Sequence, residues 1–124
     1  MSMNEKSPRP ISINLKKKSR LLCIEFDDDS SFELGCEFLR VHSPSAEVKG
    51  HGPGQEVLQT GKENVSIDEI EPVGNYAVKL VFDDGHDSGI YSWDYLYELG
   101  SNQEEYWKNY LNALAHAGYD RQPH

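Results

Sequence analysis

The sequence predicts an α+β fold: a small, mostly antiparallel sheet built from hairpins, with short helices and a C-terminal amphipathic helix packed on it. Three observations predict it. Apolar and polar residues alternate in several short runs, which marks half-buried strands. Acidic or Gly/Asn-containing clusters separate these runs, so neighbouring strands should pair as hairpins. Near the C-terminus the apolar period changes to that of a helix.

The elements follow in order. Residues 1–9 (MSMNEKSPR) have no apolar period and read as a flexible arm. Ile11, Ile13 and Leu15 alternate with Ser12 and Asn14 as a first strand, and Lys16-Lys17-Lys18-Ser19 is a polar turn. Leu22, Ile24 and Phe26 form a second strand. After the Asp27-Asp28-Asp29-Ser30 turn, Phe32 and Leu34 form a third, ended by Gly35. Cys36-Glu37-Phe38-Leu39-Arg40 reads as a short helix with His42 at its end. Residues 43–64 read as a long loop, the kind that in a compact domain is usually functional or mobile. Val65, Ile67, Ile70 and Val73 resume ordered structure, and Gly74-Asn75 is a hairpin turn. Val78, Leu80 and Phe82 mark the clearest strand. Asp83-Asp84-Gly85-His86-Asp87 turns the chain into a return strand at Ile90-Tyr91. Ser92 should cap a helix through Trp93, Tyr95, Leu96 and Leu99, stopped by Gly100.

The last helix should begin with the capping-box pair Ser101 and Glu104. Its apolar stripe is Trp107, Tyr110, Leu111, Leu114 and Ala115, and Gly118 sits at a C-cap. One domain over 10–118 is therefore expected, with 119–124 as a flexible tail. The segment Phe26 to Leu39 also echoes the segment Phe82 to Leu96: each reads strand, acidic turn, strand, aromatic helix.

The 124 residues suit one domain, and the formal charge is −9. Residues 1–20 hold six of the basic side chains and a single acid, Glu5. The remainder is a strongly acidic body behind a short basic arm. Such a body disfavours non-specific contact with nucleic acid or anionic membrane. The arm reads as a solvated end, or as a docking arm for an acidic partner. Cys23 and Cys36 lack the pair spacing of a zinc knuckle or redox dithiol, so reduced thiols in the cytoplasm are the expectation. The N-terminus shows no apolar core of a signal peptide, and no apolar run is long enough to span a bilayer.

Catalytic signatures are missing from the sequence: no nucleophile elbow, no phosphate-binding glycine loop, no helical His-Glu zinc motif. The adjacent carboxylates of Asp27, Asp28 and Asp29 lack the spacing of a calcium loop. Cys36 reads as a small buried hydrophobe. Histidines remain. His42 ends a helix, His51 lies among Gly50, Gly52 and Gly54, and His86 lies in an acidic turn. Imidazoles bind zinc or iron when about three ligands converge, so these three form the candidate metal set.

Several segments closely resemble the gamma-butyrobetaine hydroxylase-like N-terminal domain family. They are Leu39-Arg40, Ser43-Pro44-Ser45-Ala46-Glu47-Val48, Gly50-His51-Gly52-Pro53-Gly54-Gln55, Ile70 to Val78, and Asp84-Gly85-His86 through Tyr91-Ser92-Trp93-Asp94-Tyr95-Leu96. The resemblance runs over residues 8–100 and implies a small α+β domain. In carnitine-biosynthesis hydroxylases such a domain precedes an iron and 2-oxoglutarate oxygenase domain. There it holds a metal, normally zinc, through three cysteines just after the Leu-Arg pair and a later histidine, which His86 matches. Here the segment after Leu39-Arg40 reads Val41-His42-Ser43-Pro44-Ser45-Ala46-Glu47, without a thiol. The resemblance thus implies an absent or much weakened zinc site. It also leaves no oxygenase half in a chain of this length. The domain is similar, too, to one appended to P-loop ATPases that carry iron–sulfur clusters. The expectation is a non-enzymatic accessory or binding domain with a protein partner and no cofactor. The alternative is an iron- or zinc-binding protein using His86 with other His or Asp.

Overall fold

In a computed structural model, residues 8–50 and 56–121 are described. The chain forms β1 (Pro10–Lys16), β2 (Leu21–Phe26), β3 (Ser31–Gly35) and α1 (Cys36–Val41), then α2 (Ala46–Lys49). It continues as β4 (Ile67–Val73), β5 (Ala77–Phe82), β6 (Ile90–Ser92), α3 (Trp93–Ser101) and α4 (Gln103–His116). The strands make two antiparallel three-stranded sheets, in the orders β1-β2-β3 and β4-β5-β6. The α+β class stands, but the expected single sheet is two. The echo seen in the sequence is structural: each sheet is a meander whose third strand runs directly into a helix, α1 or α3. No helix among the described residues is long and apolar enough to cross a membrane.

Alternation decides which face each strand buries. Leu22, Ile24 and Phe26 of β2 are buried, while Cys23 between them is half-buried and Glu25 is exposed. Leu22 pairs across to Leu34 and Ile24 to Phe32, so β3 presents its apolar side to the same core. In the other sheet Ile67 faces Phe82, Ile70 faces Leu80 and Val78 faces Tyr91. These side chains, with Phe38 and Leu39 of α1 and Leu96 and Leu99 of α3, form one apolar cluster shared by both sheets. Burial of so many large side chains is the main favourable term for a domain of this size.

The helical C-terminal region departs from the expected punctuation. Ser92 does cap α3, its Oγ accepting from the Tyr95 amide at 3.1 Å. Gly100 does not stop that helix. It lies within it, and its lack of a side chain leaves room for the ring of Phe32. Ser101 is the last residue of α3, not a cap. Asn102 joins the helices, and its side chain donates to the Glu98 carbonyl at 2.9 Å, closing α3. On α4, Tyr110 and Leu114 are buried and Trp107 is half-buried, but Leu111 is 39% exposed. The core-facing stripe is therefore narrower than the sequence suggests. Contacts also run past both expected ends of the domain. The Asp27 amide donates to the Arg9 carbonyl at 2.8 Å, and the Arg9 amide donates to Asp27 Oδ1 at 3.2 Å. Tyr119 donates to Glu63, and Arg121 forks onto Glu37 while lying over the Trp107 ring.

Candidate functional site

His86 is placed by a tight turn after β5. The Phe82 amide donates to the His86 carbonyl, Gly85 supplies a φ of +92°, and Asp84 Oδ1 accepts from the His86 amide at 3.1 Å. A glycine is needed there because side chains rarely adopt that backbone region. Asp83 ties the turn to Ser66 by a backbone and a side-chain bond. The result drives the imidazole inward, where it is buried.

Two opposed partners meet the ring. Ser43 Oγ lies 2.8 Å from Nε2, and Glu47 Oε1 lies 2.9 Å from Nδ1. A carboxylate only accepts, so Nδ1 carries the proton and donates to Glu47, and Nε2 accepts from the Ser43 hydroxyl. Ser43 Oγ in turn accepts from the Ser45 amide at 3.2 Å. Ser45 caps α2, accepting from the Glu47 amide, and its hydroxyl is hydrogen-bonded to that of Ser88 at 2.7 Å. Burial pushes the His86 pKa down, and the nearby Arg40 charge adds to that, although Glu47 pulls the other way. The ring is therefore neutral near pH 7.

An ion-pair cluster flanks the corner. Asp84 Oδ2 accepts from Lys62 Nζ at 2.7 Å and from Arg40 Nε at 2.9 Å. Arg40 is buried, and its Nη1 donates to Gln59 at 3.0 Å. Burial works against the Asp84 charge. The bonds from Lys62, the His86 amide and Arg40 outweigh it and hold the carboxyl down at about 2.

Ser43, His86 and Glu47 stand in the hydrogen-bonded order of a hydrolytic triad. Their exposure is the reverse of one. Ser43 is 0% exposed, whereas the Glu47 side chain is 71% exposed. A β-carbon at Gly89 would come within 2.4 Å of Ser43 Oγ, so the chain itself seals the hydroxyl. A nucleophile must face its substrate, and here only the carboxylate does.

The other sequence candidates are placed elsewhere. His42 caps α1, with its Nδ1 2.9 Å from the Phe38 carbonyl and its ring stacked on Tyr106. Burial pushes its pKa down. His51 lies outside the described residues. Cys36 is buried, which pushes its thiol pKa up, away from the thiolate. Asp28 accepts from Ser30 and Tyr97, so the acidic turn is used internally. Among the described residues no three His, Cys, Asp or Glu side chains converge as a metal group. The side chains that hydrogen-bond the His86 ring are those of Ser43 and Glu47, with the Ser45 amide behind Ser43. Both lie in the stretch whose sequence reads as loop, in the segment where the resemblance looks for cysteines.

A cleft of about 640 Å³ opens elsewhere, near the start of α3. Tyr76, Trp93 and Asp94 line it, with Arg9 and Asp27. Tyr76 is largely exposed, and the Trp93 indole is fixed by donating to the Asn75 carbonyl at 2.8 Å.

These features define a two-sheet α+β domain with a buried, hydrogen-bonded histidine corner. The chain belongs to the gamma-butyrobetaine hydroxylase-like N-terminal family, whose model matches residues 13–97. It is similar to two proteins known from NMR solution structures. One is 56% identical, with a TM-score of 0.82, over 99% of this chain and 92% of that one. The other is 53% identical, with a TM-score of 0.80, over 94% and 92%. A crystal structure from Acidithiobacillus ferrooxidans, described as a protein with unknown function of the DUF971 family, is 39% identical. Its TM-score is 0.63, over 74% of this chain and 92% of that one. No curated protein matches the chain.

The metal implied by the resemblance does not fit these residues. Zinc needs deprotonated sulfur, imidazole or carboxylate ligands. Against the His86 ring itself the chain offers one hydroxyl, Ser43, and one carboxylate, Glu47, and these engage both ring nitrogens.

Proposed function

We propose that this chain is a non-enzymatic binding domain that acts by holding a protein partner. The sealed Ser43 hydroxyl carries the reading. The arrangement closest to a catalytic one turns its nucleophile into the core, where Gly89 packs against it. A partner surface is supported by the cleft at α3, where an exposed Tyr76 and the fixed Trp93 stand beside Asp94. Aromatic side chains of this kind give large contact area at low entropic cost, and they are enriched where proteins dock. The body's acidity favours a partner with basic side chains at that point. The cytoplasm is the proposed compartment, on the two unpaired thiols.

The test is affinity capture from the native cell with the full chain and with Tyr76→Ser and Asp94→Lys variants. A protein retained by the wild type and lost from both variants supports the reading. Equal capture by all three removes the cleft as the docking surface. A turnover abolished by Ser43→Ala in a folded protein would remove the non-enzymatic assignment.

A further inference from the structure

We infer that the His86 corner is a metal-independent clasp, in which the Ser43–His86–Glu47 and Ser45–Ser88 hydrogen bonds fasten the segment after α1 to the turn before β6. The imidazole is held much as a metal ligand is held, with one nitrogen facing a carboxylate that orients the other. Yet that other nitrogen meets the Ser43 hydroxyl at 2.8 Å. A zinc–nitrogen bond spans roughly 2.0–2.1 Å, so an ion on Nε2 would have to take the hydroxyl's place. The hydroxyl is hemmed in on two sides. Gly89 closes on it from one side, and the Ser45 amide holds it from another.

The same turn is fastened a second time. Asp84 reaches Arg40 of α1 and Lys62, so the backbone on the N-terminal side of His86 is tied to the segment that also supplies Ser43. Ser88 reaches Ser45 on its C-terminal side. A metal shared between cysteines after the Leu-Arg pair and a histidine in this turn would join the same two segments. In this chain serines and a glutamate join them without an ion.

The experiment uses the full, untagged chain, grown with zinc and iron in the medium. Elemental analysis is expected to find either metal far below one equivalent. Thermal unfolding is expected at one melting temperature with no addition, with EDTA and with added zinc chloride. Ser43→Ala is expected to lower that temperature by about 4 °C, the shift for one lost buried hydrogen bond in a domain of this size. Ser43→Ala should lower the melting temperature less in a His86→Ala background than in the wild type, because the two residues share one bond of the clasp. One equivalent of zinc or iron, or a melting temperature that falls in EDTA, overturns the inference. So does a Ser43→Ala variant that melts like the wild type. If His86→Ala does not fold, the elemental content and the EDTA melt of the wild type decide alone. Partner capture reads binding rather than metal or melting, so that proposal and this one can fail separately.

Discussion

Replacing Asp84 with Asn removes one charge and leaves the side-chain volume almost unchanged. The carboxylate receives Lys62 at 2.7 Å, Arg40 at 2.9 Å and the His86 amide at 3.1 Å. Its pKa is held at about 2, against an ordinary 3.8. At about 1.36 kcal/mol per pKa unit, that depression corresponds to about 2 kcal/mol of stability at neutral pH. The sign follows from a folded-state pKa below the unfolded one. The contribution is complete above pH 3.8, declines as the pH falls, and is gone below about 2. Substitution at neutral pH should cost somewhat more, about 3 kcal/mol, because the buried Arg40 guanidinium loses its carboxylate and retains the neutral Gln59. Urea unfolding of wild type and Asp84→Asn, at pH 7 and again near pH 2.5, measures both quantities. The gap should be about 3 kcal/mol at pH 7 and should shrink by more than half at the acid end. A gap under about 1 kcal/mol at pH 7, or one that does not change with pH, refutes the argument that Asp84 neutralises Arg40.

Gly100→Ala puts a β-carbon 2.4 Å from the Phe32 ring, and should cost about 2 kcal/mol in chemical denaturation. Adding Phe32→Leu should recover part of that loss; strictly additive effects would count against the close approach. Trp107→Ala removes a half-buried indole that packs on Phe38 and Tyr110 beneath Arg121, and should cost about 2 kcal/mol. An unchanged melting temperature would exclude it from the core. His42 is held neutral by burial, so its contribution is intact above the ordinary pKa of 6.5 and is lost as the pH falls below it. His42→Phe, which keeps an aromatic ring beside Tyr106, should flatten the stability slope between pH 6.5 and 5, and an unaltered slope would contradict this.

What the sequence disclosed depended on the range of the interaction. The strands at Leu22-Ile24-Phe26 and Val78-Leu80-Phe82 were legible because a two-residue period is a local signal. So was the Ser92 cap, whose bond spans three residues. The echo around the two acidic turns anticipated two meanders that each feed a helix, although not their division into separate sheets. Gly100 misled because its reason is Phe32, far away in the chain. Ser101 misled because Asn102 already closes α3 through Glu98. Ser43 and Glu47 looked like loop for the same kind of reason. Their partner His86 lies 43 and 39 residues away, and nothing in a Ser-Pro-Ser-Ala-Glu run announces it.

The arrangement of those distant bonds bears on how the chain reaches its native state. Each meander pairs strands that follow one another directly, so its closure needs only short loops and carries a small entropic penalty. The Ser43–His86 link forms only after both halves have found their places, and its geometry tolerates little error. It should therefore consolidate late, with Ser43→Ala speeding unfolding while leaving the refolding rate nearly untouched.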